Sequence, residues 1–231
     1  MRFRSKDVLK TVMISLGWLI AISITGIIML FVFGNPDDPD ALSLLVGICF
    51  ILTFIITMLT INKYLLRKNG LGWDSLGFVP LKKKQFLYLA WQVPLCWLLI
   101  FLTEIIFVVL FFGDIENLPD RQSSAQIMEI TPFIFIMVYL TYAIFTPILE
   151  EIIFRAGLLQ ALENKLNAPV AMIGSSLLFM IVHGVPVVMP ALFVMGLSFA
   201  YLYQKHKSIY APIILHMFIN GINVIALNVI F

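Results

Sequence analysis

The sequence predicts an all-α membrane protein, a bundle of about seven transmembrane helices. Hydrophobic residues make up 61% of the 231 residues and charged residues only 12%, and the mean hydropathy is +1.01. The apolar residues form long runs, and most of these reach the roughly 20 residues that a helix needs to cross a bilayer. No polar segment is long enough to build a core of its own. The composition therefore excludes a soluble domain of any size.

The first part of the chain, residues 1–131, is predicted to hold three of these helices. They cover roughly residues 8–33, 41–62 and 85–112. The first run is too long for the apolar region of a signal peptide, so we expect it to remain in the protein as a helix. Turn formers and acids at 34–40 end it. A basic polar loop, 63–84, separates the second and third helices, and an acidic loop, 113–131, follows the third.

The second part, residues 132–231, is predicted to hold four helices. They cover roughly residues 132–162, 168–183, 186–203 and 209–231. Pro132 suits the first turn of a helix. Helix four is longer than a bilayer requires, so it must tilt, kink or protrude. Short polar turns join helix four to five and helix six to seven.

The distribution of Lys and Arg predicts the orientation. The basic residues collect at the amino terminus, in the 63–84 loop and in the turns at 163–167 and 204–207. These segments all lie on one side of a seven-helix protein, and basic loops face the cytoplasm. We therefore expect a cytoplasmic amino terminus and a multi-pass protein of the cell membrane.

Three charged residues within six positions mark helix four. Glu150, Glu151 and Arg155 lie in an otherwise apolar helix, where a charge costs at least a few kcal/mol and by default indicates function. Glu151 and Arg155 are four residues apart, so they can pair on one helix face. Glu150 lies about 100° round the helix and is left unpaired. The pattern predicts a supporting ion pair beside a carboxylate that can react.

Two of the three histidines also lie in apolar helices. His216 precedes Asn220 by four residues, so the two share a helix face. Phe179 precedes His183 by the same spacing. His206, between two lysines in the predicted 204–207 turn, is expected to be solvated.

Helical rise predicts that these residues can meet. Glu150 and His183 lie on opposite sides of the 163–167 turn, at heights of roughly 22 and 27 Å above it. His216 lies only roughly 15 Å from the 204–207 turn. The three side chains meet if the hairpin of helices four and five protrudes further into the cytoplasm than the next turn. The predicted site then opens to the cytoplasmic side, below the bilayer midplane.

These residues resemble the three motifs of the CAAX protease and bacteriocin-processing family of intramembrane proteases, also called the CPBP or Abi family. The motifs are Glu-Glu-x-x-x-Arg at 150–155, Phe-x-x-x-His at 179–183 and His-x-x-x-Asn at 216–220. Their order and approximate spacing match, and the resemblance covers about Pro132 to Phe231. It implies an intramembrane endopeptidase, and the short chain without targeting signals leads us to expect a bacterial source.

The resemblance also implies a division of roles. Glu150 and His183 would activate a water molecule, and His216 and Asn220 would stabilise the oxyanion. Glu151, Arg155 and Phe179 would support the geometry. The chemistry suits these residue types, because a carboxylate removed from water is a better base and hydrogen-bond donors stabilise a developing negative oxygen.

A zinc site is the alternative to metal-free hydrolysis. Glu150, His183, His216 and Asn220 could surround an ion, since His and Glu are normal zinc ligands. The His-Glu-x-x-His motif of zinc proteases is absent. We expect a reaction without a metal cofactor.

The expected partners are the lipid bilayer and a peptide or membrane-protein substrate; nucleic-acid binding is not expected. A second function is a non-proteolytic scaffold, either a regulator of a sensor kinase or a bacteriocin immunity protein, with a membrane regulatory partner. A third is a transporter that uses Glu104 and Glu150 as a proton relay, which leaves His216 and Asn220 unexplained. The sequence assigns no role to Glu104.

Overall fold

The computed structural model describes residues 5–33, 39–113 and 131–229, and every regular element within these ranges is helical. The all-α prediction is therefore confirmed. Within these ranges seven helices follow in order: α1 (Ser5–Phe33), α2 (Pro39–Thr60), α3 (Lys83–Phe112), α4 (Pro132–Glu163), α5 (Ala168–His183), α6 (Met189–His206) and α7 (Tyr210–Val229). Most of the two predicted acidic loops lies outside the described residues.

In the part of the chain that the structure describes, five helical segments are long and apolar enough to cross a membrane. They are Lys6–Met29, Leu44–Asn69, Lys83–Phe112, Pro132–Glu163 and Pro186–His206. Two further apolar helices, Ala168–His183 and Tyr210–Ala226, are shorter. The chain is therefore a multi-pass membrane protein, as its composition predicts.

Helix α4 is irregular around the charged residues. Wide π-helical turns at Tyr139–Phe145 and Ile152–Leu159 flank a regular stretch, Thr146–Glu151. A π-turn adds a residue to the helix and rotates the side chains that follow, and such turns are frequent at functional sites. The second π-turn begins directly after Glu151 and contains Arg155, so it determines the direction in which the Arg155 side chain projects.

Helix α6 is the central element of the second half of the chain. It packs against α3, α4, α5 and α7. Aromatic and aliphatic side chains from these helices, including Phe154, Phe179, Phe199 and Leu215, form one buried cluster. Helices α1 and α2 pack on each other and on α4. Glu151 and Arg155 of α4 are thus enclosed by neighbouring helices.

The predicted 63–84 loop is more structured than expected. Helix α2 continues through a π-turn, Ile61–Leu66, and a short 3-10 turn, and α3 already begins at Lys83. Residues 71–81, which we call the strap, then dock on the bundle. The Ile209 amide donates to the Gly77 carbonyl at 2.8 Å, and the Ser208 hydroxyl donates to the Val79 carbonyl at 2.6 Å.

The prediction that His206 is solvated was wrong. Helix α6 extends to His206, whose side chain is only 5% exposed. Its Nε2 lies 2.7 Å from Oε1 of Gln92 on α3, and Gln85 donates to the His206 carbonyl at 2.8 Å. The flanking lysines indicate a surface position, but the packing of α3 on α6 covers the imidazole between them.

Candidate active site

The predicted pair of Glu151 and Arg155 is confirmed. Arg155 Nε lies 3.2 Å from Glu151 Oε2, and neither side chain is exposed at all. A charge buried in this way needs a partner, because an unpaired one costs several kcal/mol. The pair therefore belongs to the framework of the bundle.

Two phenylalanines enclose the guanidinium of Arg155. Its central carbon lies 4.8 Å from the ring centroid of Phe179 and 5.0 Å from that of Phe199. A planar guanidinium stacks well on aromatic faces. Arg155 also donates from Nη2 to the Gly196 carbonyl on α6 at 3.2 Å. Arg155 thus ties α4 to both α5 and α6.

His216 on α7 lies between the two glutamates. Its Nδ1 is 3.0 Å from Glu151 Oε1, and its Nε2 is 3.7 Å from Glu150 Oε2. Since an ionised carboxylate only accepts, Nδ1 carries the proton in this hydrogen bond. Phe199 stacks on the imidazole with centroids 4.5 Å apart and planes at 24°. Glu151 and Phe199 together fix the ring so that Nε2 faces Glu150.

His183 reaches the same carboxylate from the end of α5. Its Nδ1 lies 2.7 Å from the Phe179 carbonyl. A carbonyl accepts only, so Nδ1 donates and Nε2 is the free nitrogen of the neutral ring. That Nε2 lies 3.9 Å from Glu150 Oε2. The backbone of α5 therefore sets both the tautomer and the direction of His183.

The structure brings Glu150, His183 and His216 together, as helical rise predicted. Glu150 and His183 retain 23% and 29% side-chain exposure, whereas His216 retains 3%. Glu150 Oε2 is buried and has no hydrogen-bond partner among the described residues. The cluster is thus open along one side, where Glu150 and His183 lie, and closed behind His216.

Asn220 lies one helical turn after His216 on α7. Its side-chain amide donates to the Tyr142 carbonyl of α4 at 2.8 Å. A primary amide has two N–H groups, so one is committed to α4 and the second can serve another acceptor. His216 and Asn220, which the sequence predicts to act together on the oxyanion, therefore both project from α7. Asn220 is in addition hydrogen-bonded to the backbone of α4.

Glu150, His183 and His216 match zinc ligands in residue type but not in arrangement. Two imidazole nitrogens and a carboxylate oxygen are normal zinc ligands. Within the described residues, however, no three side chains of His, Cys, Asp or Glu are arranged so that they could hold a metal ion. These residues as placed do not form a metal site.

Sequence reasoning missed two residues on α6 that shape the site. Phe199 contacts both Arg155 and His216. Gly196 lies so close to α5 that a Cβ there would come within 3.0 Å of Ser176 Cα. Neither carries a polar group. The only available signal was their spacing of three residues on one helix face, which apolar helices show throughout.

Comparison with known proteins gives two matches. The family described as "Type II CAAX prenyl endopeptidase Rce1-like" matches residues 131–222, which include all three motifs. The chain is also 31% identical over 215 residues to the "Putative membrane peptidase YdiL" of Bacillus subtilis (strain 168), and the match covers 88% of this chain and 82% of that protein. No solved structure matches the chain.

Proposed function

Because the chain belongs to the CAAX protease and bacteriocin-processing (CPBP) family of membrane peptidases, we propose that it is an intramembrane endopeptidase with Glu150 as its general base. Its substrate would be a membrane-associated peptide or protein. His183 would bind the attacking water together with Glu150. His216 and Asn220 would stabilise the oxyanion.

The observation that carries this proposal is the space between Glu150 and His183. Glu150 Oε2 and His183 Nε2 are 3.9 Å apart, too far for a direct hydrogen bond. A water molecule about 2.8 Å from each would meet them at an angle of about 90°, near its own H–O–H angle. Both atoms are acceptors when Glu150 is ionised and His183 is neutral. One water could therefore donate a proton to each.

The reaction follows from this position. The water oxygen attacks the peptide carbonyl carbon while one of its protons passes to Glu150. The carbonyl oxygen becomes negative and would be stabilised by the second N–H of Asn220 and by His216, provided that His216 carries a proton on Nε2. Glu150 then gives its proton to the leaving amine as the C–N bond breaks. The products are a carboxylic acid and a free amine, and Glu150 is again ionised. The acid then passes its remaining proton to the amine or to water, which leaves a carboxylate.

The length of α5 supports a substrate that is itself in the membrane. This helix has 16 residues, a rise of about 24 Å, which is less than the roughly 30 Å of the hydrocarbon core. If its first residue lies at one membrane surface, His183 at its other end lies within the apolar layer. A leader peptide, a pheromone precursor or the tail of a membrane protein would fit this site. The chemistry does not require a prenyl group.

The test compares newly formed peptide termini, by mass spectrometry, in cells that carry the wild-type chain or Glu150→Gln. The substitution keeps the shape of the side chain and removes the base, so the termini made by the wild type should fall at least about a hundredfold. Glu104→Gln is the matched control, because it removes an exposed carboxylate on α3 outside the site. Both variants should be present in the membrane at wild-type amounts.

Two outcomes would contradict the proposal. Equal termini in all three strains, with equal rescue of any phenotype, would leave the scaffold or immunity function. Loss of cleavage on treating the purified protein with a chelator, and recovery with zinc, would replace the metal-free mechanism by the zinc alternative.

A further inference from the structure

The strap presents an aromatic surface on the outside of the bundle. Trp73 packs edge-to-face on Phe78, with ring centroids 5.7 Å apart, and Phe78 packs in the same way on Tyr210, also at 5.7 Å. We call these three residues the aromatic ladder. Trp73 is 37% exposed and Tyr210 39% exposed, whereas Leu76 on the strap is fully buried. The strap is thus anchored by one side chain and exposes aromatic rings beside it.

The strap is held in one position by the ends of three helices. Gln160 of α4 donates to the Ser75 carbonyl at 3.3 Å, and the start of α7 bonds to the Gly77 carbonyl. Gly77 itself has a φ of +89°, and a Cβ there would come within 2.8 Å of the Tyr203 ring of α6. The aromatic ladder is therefore a preformed surface, and its rings have a fixed direction relative to the bundle.

Basic side chains lie within a few residues of the ladder in the sequence. Exposed lysines near it include Lys82, Lys83 and Lys84, which follow Phe78 by four to six residues, and Lys207, which precedes Tyr210 by three. The first turn of α3 contains no acid to offset the three consecutive lysines. Asp74 is the acid that the strap itself carries. The positive charge of this region is thus largely uncompensated and suits an anionic partner.

The ladder lies where two apolar helices begin. Helix α3 starts at Lys83, immediately after the strap, and α7 starts at Tyr210, which is a member of the ladder. Trp and Tyr are enriched at the level of lipid headgroups, where their rings are partly in water and partly in the apolar layer. Exposed aromatic rings at two helix starts, with lysines nearby in the sequence, are typical of residues at a membrane interface.

We propose that the aromatic ladder and its lysines bind the headgroups of anionic phospholipids. The rings of Trp73 and Tyr210 insert between headgroups, and the lysine ammonium groups pair with phosphates. Each lysine near an anionic surface strengthens such binding about fivefold. This binding is independent of the peptidase reaction, so it can fail or hold whatever Glu150 does.

The first experiment measures where Trp73 lies. Trp73 is left as the single tryptophan by changing Trp18, Trp91 and Trp97 to Phe in the full chain. The protein is placed in vesicles of phosphatidylcholine alone or with phosphatidylglycerol. Quenching of Trp73 by acrylamide in water should be lower in the anionic vesicles than in phosphatidylcholine alone, while quenching by lipids spin-labelled near the headgroup should be higher.

Matched triple variants separate the strap from general surface charge. Lys82→Gln, Lys83→Gln and Lys84→Gln together should return Trp73 to the quenching seen in phosphatidylcholine alone. Lys10→Gln, Lys63→Gln and Arg67→Gln remove the same charge from exposed positions on α1 and at the end of α2, and should leave Trp73 unchanged.

Three results would overturn the proposal. Acrylamide could quench Trp73 equally in both kinds of vesicle, which would indicate that the aromatic ladder binds a protein instead of lipid. Both triple variants could act alike, which would make the effect one of surface charge alone. Trp73 could also be quenched by lipid to the same extent in both vesicles, which would remove the preference for anionic headgroups.

Discussion

Two adjacent glutamates have different environments in this protein. Glu151 is fully buried and contacts both Arg155 and His216. Glu150 is partly exposed and faces the Nε2 atoms of His183 and His216. The difference arises because successive side chains on a helix diverge by about 100°. One carboxylate is therefore committed to structure, and the other can take part in a reaction.

The burial of the Glu151 and Arg155 pair leads to a stability prediction. Arg155→Met leaves Glu151 buried without its cation, which should cost about 3–5 kcal/mol. Adding Glu151→Gln removes that charge and keeps an acceptor for His216, so the double variant should recover most of the loss. Thermal unfolding in detergent measures both. A double variant as unstable as the single one would show that the loss comes from the contacts of the guanidinium with Phe179 and Phe199 instead.

Individual contacts could be predicted from the sequence only where they are local or follow from helix length. The Glu151–Arg155 pair is a spacing of four residues, and the meeting of Glu150 with His183 follows from the rise on either side of a turn. The burial of His206 could not be predicted, because its partner Gln92 is 114 positions away. The same holds for Phe199, whose stacking on His216 depends on how α6 and α7 pack.

At the scale of helices, α5 and α6 approach closely at Gly196. A Cβ at this position would meet Ser176 Cα and Cβ at 3.0 Å, and backbone cannot move aside cheaply. The carbonyl of Gly196 also accepts from Arg155. The close approach thus brings the acceptor within reach of the guanidinium and holds Phe199, one turn later, against His216.

Gly196→Ala should therefore separate α5 from α6 and weaken the site together with the fold. We expect a loss of about 1–3 kcal/mol from overpacking, seen as a lower unfolding temperature, and reduced formation of the termini that depend on Glu150. Gly17→Ala on α1 is the control, since a Cβ there meets nothing within 4 Å. Wild-type stability for Gly196→Ala would show that the two helices can separate without cost.

The number and class of the helices could be predicted because each needs a long apolar run. The irregular turns within and between the helices could not be predicted. The π-turns in α4 leave no mark in composition, since they depend on how neighbouring helices accommodate an extra residue. The strap was predicted only as a polar loop, because its hydrogen bonds join it to helix ends more than 80 positions away.

At the scale of the whole molecule, the two parts of the chain contribute differently. Glu150, His183, His216 and Asn220 all lie in residues 132–231, which nearly coincide with the region matched by the family. The first part covers this region: α3 packs on α6 and α7, and α1 and α2 pack on α4. An ion pair between Asp7 and Lys68 joins α1 to the segment after α2. The site is thus enclosed on the side of α4 by helices that carry none of its residues.

The orientation of the chain determines the side of the membrane on which the strap lies. Most of the described basic residues lie in the 63–84 segment that contains the strap, in the turn after α4 and at the end of α6, so we expect all three to face the cytoplasm. In a Cys49→Ser, Cys96→Ser background, a membrane-impermeant maleimide should label Lys205→Cys only after lysis. Ser123→Cys, in the acidic segment between α3 and α4, should be labelled in intact protoplasts. The reverse pattern would place the strap and the lysines that follow it outside, where they would meet the other leaflet. The proposed reaction would then release its products away from the cytoplasm.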